Sequence, residues 1–222
     1  GLVGSEMCIR DRWEAHIASI SGKNVEILDR RAVEEERVIL SACAKGDVAL
    51  VVPGDALTAT THIHLIEEAG RRGSEVRVIP GISILTVASG ILGLQAYKFG
   101  RTVSLPKWRD GFKPTSPLKG ILENLERGLH TLLLLDTEPE AMTASEAASQ
   151  ILRMAEVEKC SEISKDRMVC AIARACFDDQ RLAFVSLGKL ASIDLGPPPH
   201  ALVVPGELHF IEKERLDRIK AA

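Results

Sequence analysis

The chain has 222 residues, of which 45% are hydrophobic and 27% charged, and its formal net charge is -3. This length is sufficient for one large or two small domains with a buried core, and the composition is ordinary for a soluble globular protein. The slightly acidic balance argues against a protein that binds nucleic acid by charge alone. No apolar run approaches the ~20 residues needed to span a bilayer.

The cysteines show no CxxC spacing and no regular framework. An odd number of scattered thiols is typical of a reducing compartment, and charged residues interrupt the one N-terminal stretch that resembles a secretory signal. We therefore expect a cytoplasmic protein. The five cysteines are Cys8, Cys43, Cys160, Cys170 and Cys176.

The first twelve residues, GLVGSEMCIRDR, form neither a good strand pattern nor a periodic helix. We interpret residues 1–12 as an unrelated leader, an artefact joined to a truncated domain. A parallel α/β domain normally opens with a strand and a glycine-rich turn. The sequence therefore predicts that the first strand of the N-terminal domain is missing.

Between Asp47 and Gly93 the order strand, glycine turn and helix occurs twice. This order predicts a parallel α/β sheet, in which ligands bind beyond the carboxyl ends of the strands. The two turns are therefore the predicted binding site. The predicted elements are a strand at Val48–Val52, a turn at Pro53-Gly54, a helix from about Thr58 to Arg72, a strand at Val76–Ile79, a turn at Pro80-Gly81 and a helix from near Ser83.

A stretch with three prolines, residues 106–118, predicts a linker or a loop over a cleft. It divides an N-terminal α/β domain, residues 13–105, from a C-terminal α/β domain, residues 106–222. The second domain is predicted to contain a helix at Pro117–Arg127, a strand at Thr131–Asp136, a helix opened by the capping box Thr143 to Glu146, paired strands at Met168–Ala175 and Leu182–Leu187, a strand at Ala201–Val204 and a charged helix at Phe210–Lys220.

Several polar residues have two interpretations that the residues alone leave open. Asp55 either binds a ligand or caps the helix after it, and Ser83 has the same two interpretations. His200, approached through three prolines, is either a ligand contact or a hydrogen-bonded structural histidine. Asp136, at a strand end, either orients a ligand or bonds to a turn.

Other chemistries have little support in the sequence. His62 and His64 lie two apart on a predicted helix and point to different faces, which disfavours a shared metal ion. The chain has no GxSxG elbow, no GxGxxG and no GxxxxGK[ST] motif. Chemistry does not follow from these residues alone.

A set of motifs occurs in order from about residue 13 to the C-terminus. These motifs are VPGDALTATTH, VIPGISI, GLQAYKFGRTVSLP, RGLHTLLLLD, AIARA, DDQR and DLGPPPHALVVPGELH. Together they resemble the diphthine synthases, which belong to the tetrapyrrole methylase family of S-adenosylmethionine-dependent methyltransferases. The compact passage LDTEPEAMTASEA is similar to the archaeal form.

The resemblance implies methyl transfer from S-adenosyl-L-methionine, leaving S-adenosyl-L-homocysteine, to the amino group of a modified histidine on translation elongation factor 2 in diphthamide biosynthesis. It also implies two α/β domains with the cofactor in the cleft between them, a cytoplasmic homodimer, no metal, no membrane and no direct nucleic-acid partner. No catalytic residue is implied. By motif, the implied cofactor contacts are Asp55, Thr58, Ser83, Ile84, Leu135, Ala175 and His200.

Two departures from the family pattern keep alternatives open. The missing first strand and its GLGL turn favour a truncated, non-catalytic cofactor-binding fragment, since losing an inner strand exposes the neighbouring strand edges. The second turn, VIPGIS, is closer to tetrapyrrole-modifying relatives. A methyltransferase acting on corrin or porphyrin precursors is therefore the alternative enzyme.

Overall fold

The structure, a computed structural model, describes residues 2–5, 13–137 and 139–219. The chain divides into two compact units, Gly1–Ser83 and Ile84–Ala222. This architecture of helices packed on two separate sheets confirms the predicted α/β class. Each unit is described by itself.

The first unit contains a three-stranded parallel sheet with the strand order β2-β1-β3. Its small core, around Leu28, Val33 and Ile39, lies between this sheet and the helices. The described elements are β1 (Leu2–Ser5), α1 (Trp13–Ser21), β2 (Val25–Leu28), α2 (Arg30–Glu34), α3 (Arg37–Cys43), β3 (Ala49–Val51) and α4 (Ile63–Arg71).

The middle strand of this sheet is β1, which begins at the second residue of the chain. Leu2 pairs in parallel with Val25 on one side and with Ala49 on the other. The structure therefore contradicts the prediction that this sheet lacks a first strand, whereas the interpretation of residues 1–12 as an unrelated leader stays a prediction. A run with only two strongly apolar residues gives little strand signal, and the ladders on both sides define the strand. The rest of the predicted leader, Gly1 and residues 6–12, lies outside the described residues.

The predicted strand at Val76–Ile79 is not a strand in the structure, because described residues 74–83 take part in no ladder. Val76 is 41% exposed and Ile79 is 75% exposed. The β-branched pattern agrees with strand preference, but a strand also requires a hydrogen-bonded neighbour. Helix α4 likewise begins later than predicted, at Ile63, because residues 56–62 form turns.

The second unit contains a five-stranded sheet with the order β4-β5-β8-β6-β7, in which β4 and β5 are parallel and the other pairs antiparallel. A 3₁₀ turn at Ala96–Lys98 precedes β4. The described elements are α5 (Ile84–Leu92), β4 (Val103–Leu105), α6 (Ser116–Glu126), β5 (Thr131–Leu135), α7 (Ala144–Val157), β6 (Met168–Ala173), β7 (Arg181–Ser186), α8 (Leu187–Leu190), β8 (His200–Val204) and α9 (Phe210–Asp217).

Both faces of the five-stranded sheet are covered, which explains why β5 and β8 read as apolar at nearly every position. Successive side chains of a strand point to opposite faces. Leu133 thus lies in one buried cluster with Ile151 of α7, whereas Leu132 lies in the other cluster with Leu92 of α5 and Leu216 of α9.

The predicted domain boundary after Leu105 differs from the division seen in the structure. Strand β4 pairs with β5, and Leu92 of α5 is buried against that same sheet. Residues 84–105 therefore pack with the second unit. The proline-rich segment that suggested a linker is a loop between β4 and α6 of that unit.

Candidate functional site

In the first unit, the two predicted turns are in direct contact. The backbone N–H of Gly81, in the second turn, donates a hydrogen bond to Oδ2 of Asp55 in the first turn, at 3.0 Å. A Cβ atom at Gly81 would lie 2.0 Å from the carbonyl oxygen of Gly54. Only glycine permits so close an approach of the two backbones.

Asp55 organises this turn pair with both of its carboxylate oxygens. Oδ1 accepts hydrogen bonds from the backbone N–H of Leu57 at 3.0 Å and from the hydroxyl of Thr58 at 2.9 Å. The bonds from Gly81, Leu57 and Thr58 lower the pKa of Asp55, so the carboxylate is ionised at neutral pH. Because α4 begins only at Ile63, Asp55 is not its N-cap. Asp55 instead joins the two turns.

Two more motif residues, Ser83 and Ile84, follow the second turn. The division of the chain into two units falls between them. Ser83 is the last residue of the first unit, and Ile84 is the first residue of α5 in the second. The Ile84 side chain is partly buried and packs against the cluster that contains Ala88 and Leu92.

In the second unit, the structure brings Leu135, Ala175 and His200 to one edge of the five-stranded sheet. Leu135 is the last residue of β5 and His200 the first of β8, which is antiparallel to β5. His200 also pairs with Ala173 at the end of β6, two residues before Ala175. Three motifs that are far apart in sequence thus converge. Their role in cofactor binding stays a prediction.

The imidazole of His200 uses both of its nitrogens within the protein. Nδ1 accepts a hydrogen bond from the backbone N–H of Ala144 at 2.9 Å, so the proton is on Nε2, which donates to the carbonyl oxygen of Pro197 at 3.1 Å. Burial lowers the pKa of His200 and keeps the ring neutral, although the Pro197 carbonyl opposes this shift. His200 therefore satisfies an unpaired donor in the first turn of α7 and holds that helix against β8.

The loop that carries Ala175 is held by the residue before it. The backbone N–H of Arg174 donates to the carbonyl oxygen of Pro199 at 2.9 Å. Its guanidinium pairs with Asp179 at 2.6 Å and lies 4.4 Å from the centre of the Phe177 ring. The loop and the proline segment before His200 are thereby fixed to each other.

Two further charged residues lie at this edge, and their association was not predicted. The backbone N–H of Lys107, just after β4, donates to Oδ2 of Asp136 at 3.0 Å. The Lys107 ammonium pairs with Glu146 of α7 at 2.8 Å. The sequence indicated the capping role of Glu146 but contained no local signal for its partner, 39 positions earlier in the chain.

A second feature that the sequence did not predict is a buried carboxylate, Glu212, in the predicted charged helix. It accepts hydrogen bonds from the backbone N–H groups of Gln95 and His209, both at 2.8 Å, from Lys98 at 2.9 Å and from His130 at 3.1 Å. Burial alone would raise its pKa, but these bonds lower it to about 2. The available signal was polar residues, such as His130, inside otherwise apolar motifs.

Within residues 2–5, 13–137 and 139–219, no group of three or more His, Cys, Asp and Glu side chains is arranged to hold a metal ion. In the same described part of the chain, no helix has the length and apolar character required to cross a bilayer.

Comparison with known proteins supports the family resemblance of the sequence motifs. The family model described as Tetrapyrrole (Corrin/Porphyrin) Methylases matches residues 6–191. A diphthine synthase of Methanothermobacter thermautotrophicus is 43% identical over 204 residues, covering 90% of this chain and 77% of the relative. One of Saccharolobus solfataricus is 36% identical over 231 residues, covering 97% of this chain and 89% of the relative.

A solved structure gives the same result. A crystal structure of diphthine synthase has a TM-score of 0.86 and 31% identity, covering 99% of this chain and 84% of that chain. The family model ends at residue 191, before the last of the motifs, whereas the match to this solved structure covers 99% of the chain and therefore extends across both units. The chain therefore belongs to the tetrapyrrole (corrin/porphyrin) methylases and, within them, to the diphthine synthases.

Proposed function

We propose that this chain transfers methyl groups from S-adenosyl-L-methionine to the amino group of the modified histidine on translation elongation factor 2, a step of diphthamide biosynthesis. The observation that carries the proposal is the 43% identity to a diphthine synthase over 90% of this chain. We propose that the active form is a homodimer in the cytoplasm.

When bound, S-adenosyl-L-methionine supplies an electrophilic methyl group on a positively charged sulfur. The residues of the sheet edge are compatible with such a ligand, because Leu135 and Ala175 are apolar and His200 is buried and neutral. A protonated imidazole at that place would repel a sulfonium. The low pKa of His200 thus supports cofactor binding at this edge.

The turn pair of the first unit is proposed to supply the other cofactor contacts. The ionised carboxylate of Asp55 is held in this turn pair by hydrogen bonds from Gly81, Leu57 and Thr58. Its negative charge is complementary to an N–H or O–H group of the ligand. The close approach of Gly54 and Gly81 keeps this carboxylate in place, so the turn pair is preorganised to orient the cofactor for methyl transfer.

Intact-mass spectrometry tests the proposal. Elongation factor 2 that carries the amino-carboxypropyl histidine is incubated with the chain and S-adenosyl-L-methionine, and factor with an unmodified histidine serves as the control. We expect a gain in multiples of one methyl group only in the first sample. No gain, with intact cofactor binding in calorimetry, would support the non-catalytic alternative and contradict the proposal. Methylation of a porphyrin precursor instead would support the alternative enzyme.

A further inference from the structure

An ion pair at the proposed cofactor edge has the properties of a ligand site. We call Lys107 and Glu146 the edge pair. The Lys107 Nζ lies 2.8 Å from Oε1 of Glu146, and the two side chains are 35% and 44% exposed. The other exposed ion pairs among the described residues form within one helix or one loop. The edge pair instead joins two distant elements and is placed by tertiary structure.

The backbone of Lys107 is fixed on both sides. Its own N–H donates to Asp136 at 3.0 Å, and the N–H of Trp108 donates to Oε1 of Gln150 at 2.8 Å. The amide of Gln150 donates in turn to the carbonyl oxygen of Pro106 at 2.8 Å. The lysine therefore projects from a rigid segment.

Glu146 is fixed equally well. Its Oε2 accepts a hydrogen bond from the backbone N–H of Thr143 at 2.8 Å as part of the capping box of α7. Its Oε1 faces Lys107. One oxygen thus holds the helix, and the other presents a negative charge beside the ammonium group.

The edge pair is close to the predicted cofactor residues. Glu146 is two residues from Ala144, whose N–H binds His200, and Lys107 binds Asp136, which directly follows Leu135. A fixed ammonium beside a fixed carboxylate, both open to solvent, is complementary to a ligand that carries the same two charges. Such a ligand is an α-amino carboxylate zwitterion.

We propose that Lys107 and Glu146 bind an α-amino carboxylate, with the ligand carboxylate on Lys107 and the ligand ammonium on Glu146. The inference rests on the proposed function, in which two ligands carry this group. One is the methionine part of S-adenosyl-L-methionine. The other is the amino-carboxypropyl group of the modified histidine.

The test uses the variants Lys107→Met and Glu146→Gln in the full chain. Glutamine can maintain the capping bond to Thr143, so this variant removes charge without opening α7. Lys213→Met is the matched control, because Lys213 forms an exposed ion pair with Asp217 in another helix. Thermal unfolding is measured for each, and small shifts are expected since exposed pairs contribute little to stability.

Two binding measurements distinguish the sources of the zwitterion. If the methionine part is bound, calorimetry gives about tenfold weaker binding of S-adenosylhomocysteine to both variants, with unchanged binding of methylthioadenosine, which lacks the amino acid part. If the modified histidine is bound, KM for elongation factor 2 rises about tenfold while the Kd of S-adenosylhomocysteine stays unchanged. The control variant should behave as wild type in both.

Three results would overturn the inference. The first is an unchanged Kd of S-adenosylhomocysteine together with an unchanged KM for elongation factor 2 in both variants. The second is equally weakened binding of S-adenosylhomocysteine and methylthioadenosine. The third is an effect of Lys213→Met as large as that of the edge-pair variants. A wild-type chain that binds S-adenosylhomocysteine but does not methylate elongation factor 2 would refute the proposed function instead. The calorimetric comparison would then still decide whether the edge pair binds the zwitterion.

Discussion

Replacing Glu212 by glutamine tests how much the ionised Glu212 carboxylate stabilises the second unit. Four donors surround this carboxylate, which has 0% relative exposure. Its pKa falls from 4.5 to about 2 on folding. At 1.36 kcal/mol per pKa unit, the difference stabilises the fold by roughly 3 kcal/mol at neutral pH.

The sign of the pH dependence follows from this lowered pKa. The stabilisation is complete above the unfolded value, near pH 4.5, and is lost as the pH falls towards the folded value, near pH 2. By pH 3, roughly 2 kcal/mol of it is lost. The difference in unfolding free energy between wild type and Glu212→Gln should therefore shrink by that amount from pH 7 to pH 3.

The assay is urea unfolding followed by tryptophan fluorescence. The chain has two tryptophans, so a Trp13→Phe background leaves Trp108, which packs against the second unit's core, as the reporter. Glu214→Gln is the control, because Glu214 lies in the same helix in an exposed pair with Arg218. A wild-type advantage that is the same at pH 3 and pH 7 would refute the assigned pKa.

Three further substitutions test separate parts of the structure. Gly81→Ala places a Cβ atom 2.0 Å from the Gly54 oxygen and should lower the stability of the first unit by about 1–3 kcal/mol in thermal unfolding. Gly70→Ala is the control, because its Cβ meets no atom within 4 Å, and it should not lower the stability. His200→Ala leaves the buried backbone N–H of Ala144 without its acceptor and should cost about 1–3 kcal/mol in urea unfolding; wild-type stability would contradict the assigned bond. Thr143→Ala removes the side-chain cap of α7 and should cost about 1 kcal/mol, measured by the same method, and a neutral result would show that the capping box is dispensable.

The parts of the fold that were predicted correctly are those with a local signal. Strand β5 and strand β8 have nearly continuous apolar runs, and the capping box at Thr143 was recognised from four residues. The paired strands β6 and β7 were also predicted, because a polar turn separates two apolar segments. Local patterns of this kind depend on residues that are neighbours in sequence.

The errors lie where distant residues decide the structure. Strand β1 is defined by its two parallel partners, and residues 76–79 carry a strand pattern without a partner. Helices α2 and α3 are separated at Glu36 by a φ of 59°, which no pattern of apolar residues indicates.

The candidate site shows the same limit. The motif resemblance pointed to Leu135, Ala175 and His200, and the sheet register brings them to one edge. The edge pair and the four donors around Glu212 went unpredicted. Their partners are separated by tens of residues, and only tertiary packing brings them together.

The location of the transferred methyl group tests the proposed methyl transfer most directly. Elongation factor 2 that carries the amino-carboxypropyl histidine is treated with the chain and S-adenosyl-L-methionine with a deuterated methyl group, then digested and sequenced by mass spectrometry. We expect the deuterated label on the amino group of that histidine and on no other residue. Label at another residue would contradict the proposed function. The absence of label on elongation factor 2 that was incubated with the cofactor-bound chain would contradict it as well.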